Sequence, residues 1–475
     1  MKTKLIIIIG ILYSATSFSQ NQNFWLIGGG NKLTNSQEQI EKNVIWLEQI
    51  LHNKGYQNDY RLYYGIGEEP GDDTQYIDTS RPETNNLSAL QMLYSKNAQT
   101  GISYRRHSII KTDGGTEKTA LLRSLAKDFE SLPNDSDITL IYNGHGGHRY
   151  DNEKENYLKL WNDTKLSVSE LSNILAKTPD NSTIRFILPQ CYSGGFYNLI
   201  KPGIIAKNKK ICGFMSVSET KEAEGCTLET NSEEFRDYTT YFFAALVNKD
   251  RNGENLISNP DLNSDNKVSY REAHIYTLKY AISKDISRST SEAYLEKWLP
   301  WYLRWSAIVE NTDSYYWTIA KEIALHNSLK TDTKDLNSKY SKLRASVNEQ
   351  RYQTYRIEKK ISQKQKEIIR NLKDMFPLIN LTLLKKDPKK DIENALKINT
   401  YITSLPGYKQ LSTYSEEYKQ SRKYLIKQER SLAQINKVHR FKKLSWIEKM
   451  FLRYASSSEI AEYQSLLKCE NSGSM

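Results

Sequence analysis

Cysteine is scarce, with 4 in 475 residues, too few for the framework of a disulfide-stapled domain. Cys212 and Cys226 are close enough in sequence to pair. Cys469 lies in the tail and could be free, which leaves Cys191, whose neighbours point to chemistry. Long apolar runs are also missing. Beyond the first twenty residues no stretch approaches the roughly 20 residues that cross a bilayer as a helix, so no membrane span is expected in the mature chain. No nucleic-acid-binding module can be read anywhere, and export would remove the usual partner, so nucleic acid is not expected as a ligand.

What is present begins with an address. Lys2 and Lys4 precede an apolar run from Leu5 to Tyr13, followed by small residues at Ser17 and Ser19. That order is a secretory signal, residues 1–19, with the cut after Ser19 and an exported product, periplasmic or extracellular. No Cys stands at the cut to take a lipid. Hydrophobic residues make up 38% of the chain and Tyr alone 32 residues, so most of it should fold. Charge is uneven: residues 311–475 carry 32 Lys+Arg against 18 Asp+Glu, which leaves the rest of the chain at −3. A nearly neutral unit over residues 20–305 and a basic one over 306–475 follow. The basic face is a solvated helical surface or a docking site for an acidic partner.

The front unit alternates short apolar runs with amphipathic segments. Asn23–Gly28 reads as a buried strand ending at Gly28-Gly29-Gly30. Ile40, Val44, Leu47 and Leu51 mark a helix over 36–51, and 59–64 is a second strand. Residues 65–115 read as a long polar surface insertion. Thr116 is placed to cap a helix through Leu132. Asp137–Tyr142 and Thr183–Leu188 are strands, with a helix near 168–176 between them. Another strand, 211–217, and a helix, 238–247, follow. Strands alternating with helices imply an α/β fold, a mostly parallel sheet covered on both faces. After residue 305, Leu336, Tyr340, Leu343, Val347, Ile357, Ile361 and Ile368 keep a near-heptad track, interrupted at Gln350, Thr354 and Lys364. Pro388 breaks the pattern within 381–390, and helix resumes to about Leu467. An antiparallel helical hairpin or small bundle is expected.

Two strand ends carry chemistry. Asn143-Gly144-His145-Gly146-Gly147 closes one strand, and Pro189-Gln190-Cys191 closes the next. In open parallel sheets, reactive groups gather beyond the carboxyl ends of strands, so neighbouring strands would bring His145 and Cys191 into one crevice. A thiol needs an imidazole or another cationic influence to present its thiolate near neutral pH. Ser193-Gly194-Gly195 would open a helix whose N-terminus favours that thiolate. His145 and His148 as metal ligands have no carboxylate or Cys at a convincing local distance.

The pair TLIYNGHGG and RFILPQCYSGGF resembles the His-Gly and Cys motifs of caspase-like, clan CD cysteine peptidases. CYSGGF followed by a strand and SETKEAEGC is most similar to bacterial legumain-like members of that clan. The resemblance covers roughly residues 22–305 and implies a caspase–hemoglobinase fold acting on a protein or peptide substrate. It further implies Cys191 as nucleophile, His145 as proton donor to the leaving amine, and backbone N–H groups of Gly146 and Cys191 as an oxyanion hole. Asn31, after IGGG, matches the strand-end Asn that orients the catalytic His. Ser216, Ser218 and Glu219 fall where the family builds part of its S1 wall. The acidic residue two positions before the nucleophile is Pro189 here, so no P1 preference carries over.

A second motif is independent. Asp261, Asn263, Asp265, Ser269 and Glu272 supply oxygens at positions 1, 3, 5, 9 and 12 of an EF-hand-type loop, and the Lys267 carbonyl supplies position 7. Asn266 takes the place of the usual Gly, in a backbone region Asn tolerates. A structural calcium ion is expected. Together these features describe an exported, calcium-stabilised cysteine endopeptidase. The alternative is a silent caspase-like scaffold that binds a partner through its basic helices.

Overall fold

The computed structural model describes residues 22–78, 87–201, 208–225, 235–301, 313–380 and 391–475. The signal segment, Cys226, and the Pro388 break lie outside them.

Apolar runs bounded by Gly or polar turns become strands, eight of them in the main sheet and two, β3 and β4, in a separate pair. In chain order these are β1 (Gln22–Gly29), β2 (Tyr60–Tyr64), β3 (Thr74–Ile77), β4 (Ile102–Arg105), β5 (Asp137–Gly147), β6 (Tyr157–Leu160), β7 (Thr164–Ser167), β8 (Thr183–Leu188), β9 (Lys210–Met215) and β10 (Arg288–Ser289). The main sheet runs β10-β9-β8-β5-β1-β2, parallel except for the short β10, and the β6–β7 hairpin pairs antiparallel with the far end of β5. Side chains alternate across it, as the pleat requires. Trp25 and Ile27 pack with Leu121, Leu125 and Phe129 of the Lys118–Glu130 helix. Phe24 and Leu26 pack on the other face with Ile40, Val44, Leu47 and Phe242. Both faces are therefore covered, by Glu38–Asn53, Tyr238–Val247 and Tyr270–Tyr280 on one side and by Lys118–Glu130 and Val168–Leu175 on the other. The helix expected to start at Thr116 is instead capped by Glu117, whose side chain accepts the Ala120 N–H.

The polar stretch after β2 holds more order than its composition suggests. β3 and β4 form an antiparallel pair, and Ser88–Tyr94 is a helix. Ala89, Leu90, Met92 and Leu93 join Ile361, Ile368, Leu372, Ile398 and Ile402 in one apolar cluster. The insertion thus sits on the long helices of the chain's second half. Those helices are Thr333–Met375 and Pro406–Tyr454, packed as a hairpin, with Ile392–Ser404 between them. The interruptions of the heptad track have partners. Thr354 Oγ1 lies 2.7 Å from Ser421 Oγ, and Gln350 Nε2 donates to the same oxygen at 2.9 Å.

The expected boundary near 305 falls within 302–312, outside the described residues. On either side of it the two halves are joined. Tyr316, Ile319 and Ile323 pack against Ile275, Leu278 and Leu295. The last helix, Ser457–Asn471, returns to the sheet, where Cys469 is bonded to Cys212 in β9. This corrects both cysteine expectations: Cys212 does not pair with Cys226, and Cys469 is not free. Cys191 is the free thiol among the described residues. The bridge closes a loop of 257 residues. Its reduction, or Cys469→Ser, should cost about 2–5 kcal/mol and lower the melting temperature; equal melting curves with and without reductant would contradict this.

Candidate active site

β5 and β8 are parallel neighbours, with Ile141 paired to Ile187. Both carboxyl ends therefore open on the same sheet edge. His145 lies where β5 continues past the sheet to pair with β6, opposite Lys159. Cys191 lies three residues beyond the end of β8. The two turns touch: a β-carbon on Gly146 would stand 1.9 Å from the Cys191 carbonyl oxygen, so only glycine fits. The residue after the thiol, Tyr192, is held at φ 59°, a region that costs a bulky residue on the order of 1–2 kcal/mol. Its amide donates to the Lys221 carbonyl at 2.7 Å, its hydroxyl to Glu222 at 3.0 Å, and its ring stacks on His148. The following Ser193–Ile200 segment is a 3-10 helix.

The imidazole and the thiol do not hydrogen-bond each other. His145 Nε2 lies 2.8 Å from Gln37 Oε1. Burial, with the Lys159 charge adding, pushes the His145 pKa down from 6.5 to about 4, opposed by the Asn35 backbone carbonyl, which accepts from the ring. The Cys191 sulfur accepts the Ala223 N–H at 3.3 Å. Burial raises the thiol pKa above its ordinary 9.0; Glu222 and Asp285 add to the rise, while the Ala223 N–H and Lys284 oppose it. The 3-10 helix does not prevail over burial, so the resting pair is neutral thiol and neutral imidazole.

A depressed His145 pKa has a consequence for stability. The folded state resists a proton that the unfolded chain takes up below pH 6.5, so stability held above 6.5 is lost as pH falls through about 4. The loss is about 3 kcal/mol. His145→Gln should lose correspondingly less between pH 7 and pH 4 in urea unfolding; superimposable pH dependences would refute this.

Asn31 is not the residue at the ring. Its Nδ2 donates to Asp163 Oδ1, and its Oδ1 accepts from Asn35 Nδ2 at 2.6 Å. The loop between β1 and the next helix carries Asn31 toward the β6–β7 turn and brings Gln37, the residue preceding Glu38–Asn53, to His145. Ser216 is fully buried, its hydroxyl donating to the Gln190 carbonyl at 3.2 Å. It floors the Cys191 turn and lines no open wall. Ser218 lies against Gly194, where a β-carbon would come within 2.8 Å of its Cα. Glu219 pairs with Lys297 at 3.2 Å and Arg288 at 3.7 Å.

Unmatched groups sit nearer the sulfur. Neither polar atom of the buried Gln190 carboxamide has a hydrogen-bond partner, a deficit of about 1–3 kcal/mol that native folds concentrate at working sites. Asp285 accepts the Glu224 N–H at 2.7 Å through Oδ1, and its Oδ2 has no partner. Burial holds its carboxyl well above the usual carboxylate range. Glu224 is gripped by Arg430 from the Pro406–Tyr454 helix, with Nε at 2.8 Å. On the same helix Lys437 donates to the Ala281 carbonyl at 3.2 Å, and burial pushes its pKa down to about 8. The second half of the chain thus braces the segment that touches the thiol. Sequence reasoning missed Gln37, Asn35, Asp163, Ala223 and Asp285. The Asn162-Asp163 turn was a readable hairpin signal; the others carry none.

The 261–272 loop is folded on itself. Asp261 accepts the N–H groups of Ser264 at 2.7 Å and Asn266 at 2.9 Å, and both donor residues have positive φ, 61° and 63°. Asn263 and Asp265 each accept the N–H two residues on, at 2.9 Å, the second from Lys267. Glu272 accepts from Leu262 at 2.9 Å, which brings the last candidate ligand to the start of the loop, and also from Ser269 N–H at 2.8 Å. The oxygens are of the hard type calcium selects, and the turn matches. Yet among the described residues no group of three or more His, Cys, Asp or Glu is placed to hold a metal ion.

No family model and no curated protein matches the chain. Solved structures do. One, a Geobacter sulfurreducens protein determined as a structural genomics target, aligns over 56% of this chain and 93% of its own, at 11% identity and a TM-score of 0.32. That likeness is too slight to carry fold or chemistry.

Proposed function

We propose that this chain is an exported cysteine endopeptidase of caspase–hemoglobinase type, with Cys191 as nucleophile and His145 as its proton carrier. The observation that supports this is the contact of the Gly146 and Cys191 turns at the carboxyl edge of two adjacent parallel strands. Cys191 Sγ attacks the substrate carbonyl carbon while its proton passes to the imidazole. His145 then returns that proton to the amine as the C–N bond breaks, leaving a thioester that water hydrolyses. Backbone N–H groups of Gly146 and Cys191 would take the developing oxyanion charge. Because the resting pair is neutral, substrate binding has to accompany thiol deprotonation. The Cys212–Cys469 bridge supports an oxidising destination. No helix among the described residues is long and apolar enough to cross a membrane. Cleavage of a peptide library by the wild type and its absence in Cys191→Ala tests the reading.

Calcium in the 261–272 loop belongs to the same proposal, as a structural ion held by Asp261, Asn263, Asp265, Ser269, Glu272 and the Lys267 carbonyl. A hundredfold excess over the dissociation constant should stabilise the fold by about 2.7 kcal/mol. The melting temperature should rise with calcium in the wild type and not in Asp261→Ala; identical wild-type curves in calcium and chelator would remove the ion from the account.

The silent scaffold keeps one observation in its favour, the half-buried sulfur capped by the Ala223 N–H, with the thiol pKa raised. It predicts no thiol labelling from pH 5 to pH 9, where the peptidase predicts labelling at Cys191.

A further inference from the structure

We infer that Gln37 is a positioning residue for His145, the first link in a chain of side-chain amides that ends on the Asp163 carboxylate and fixes which imidazole nitrogen carries the proton. The chemical use of that proton rests on the peptidase reading; the proton's location does not.

Each link has a direction, and the terminal carboxylate sets it. A carboxylate accepts, and the atom of Asn31 that meets Asp163 is its NH2 group. Asn31 then has its carbonyl oxygen left, and Asn35 Nδ2 donates to it at 2.6 Å. Asn35 Oδ1 in turn accepts from Gln37 Nε2 at 3.2 Å. Gln37 Oε1 is what remains to face His145 Nε2 at 2.8 Å, and a carbonyl oxygen requires a hydrogen on that nitrogen. On this chain of amides the neutral ring is Nε2–H, which leaves Nδ1 as its basic nitrogen.

The backbone holds the links in register. Asp163 N–H donates to the Asn31 carbonyl at 2.9 Å, and Gly30 N–H to Ser36 Oγ at 3.0 Å. Asn162 and Asp163 occupy left-handed conformations, φ 59° and 55°, as a tight hairpin turn demands. Lys32 Nζ lies 3.7 Å from Asp163 Oδ2, on the side away from Asn31. The β6–β7 hairpin thus serves the site twice, pairing with His145 through its first strand and aiming Asp163 through its turn.

The test is the 15N spectrum of the His145 ring, assigned by comparison with His145→Asn, at pH 7 where the ring is neutral. The wild type should show a protonated Nε2 and a bare Nδ1. Gln37→Ala should give a mixture of tautomers and roughly a hundredfold fall in kcat with KM little changed. Asp163→Asn, whose end group can face either way, should shift the tautomer ratio without unfolding the protein. Gln37→Glu keeps an acceptor at the ring and should restore the Nε2–H signal that Gln37→Ala loses. A wild-type ring protonated at Nδ1, or a tautomer unchanged in both Gln37→Ala and Asp163→Asn, overturns the proposal. A chain that cleaves no peptide but has the Nε2–H ring defeats the peptidase reading alone.

Discussion

Deleting residues 456–475 should abolish cooperative folding. Beyond the helix read to about Leu467 the sequence reads as a tail, yet this segment closes the core. Arg185, in the middle of β8 and only 1% exposed, donates to the Cys469 carbonyl at 3.1 Å, to Ser472 Oγ at 2.6 Å, and to Asp137 on β5. Glu470 is fully buried and accepts from Thr290 Oγ1 at 2.8 Å and from the Ser291 N–H at 2.7 Å. The Gly473 carbonyl accepts the Tyr270 N–H at 2.9 Å. Deletion removes the disulfide, worth about 2–5 kcal/mol. It also strips a buried arginine of two acceptors, each hydrogen bond to a charged group worth about 1.5–3 kcal/mol. Against a total of roughly 5–15 kcal/mol for a folded domain, the remainder has no margin. Circular dichroism should show no cooperative melting transition. A truncated chain that melted sharply near the wild-type temperature would contradict this role.

The same residues mark where sequence reading stopped. The sheet was legible because parallel strands buried on both faces appear as unbroken apolar runs, most of them ending at Gly or Pro. That the His145 and Cys191 turns open on one sheet edge was legible for the same reason, since adjacent parallel strands present their carboxyl ends together. The partner of Cys212 was not legible: it lies 257 residues away, and no local pattern encodes a return over that distance. The Ser88–Tyr94 helix was hidden because its apolar side answers to Ile398 and Ile402, far along the chain, within a stretch otherwise polar. Asn31 and Gln37 exchanged roles for a subtler reason. Which amide reaches an imidazole depends on the path of a loop, and amide side chains give no period from which that path could be read.

The second large effect falls on catalysis without touching the fold. Cys191→Ala should reduce peptide cleavage to background, and His145→Ala should cost about 10²–10⁴-fold, the range of a positioned proton carrier. Neither side chain holds the sheet together. Cys191 contributes a sulfur that accepts one N–H, and His145 contributes a ring whose charged form the fold disfavours. Both variants should therefore melt within a few degrees of the wild type at pH 7. Joint removal should cost little more than Cys191→Ala, because the two groups act as one unit. Losses that multiplied, or activity that survived Cys191→Ala, would move the chemistry elsewhere.

The most direct measurement is covalent capture. A peptide electrophile that alkylates acyl-transfer cysteines, incubated with the intact disulfide-bonded protein at pH 7.5, should attach once, at Cys191. It should react far more slowly with His145→Ala. An unlabelled Cys191, or labelling at the same rate without the imidazole, would contradict the account.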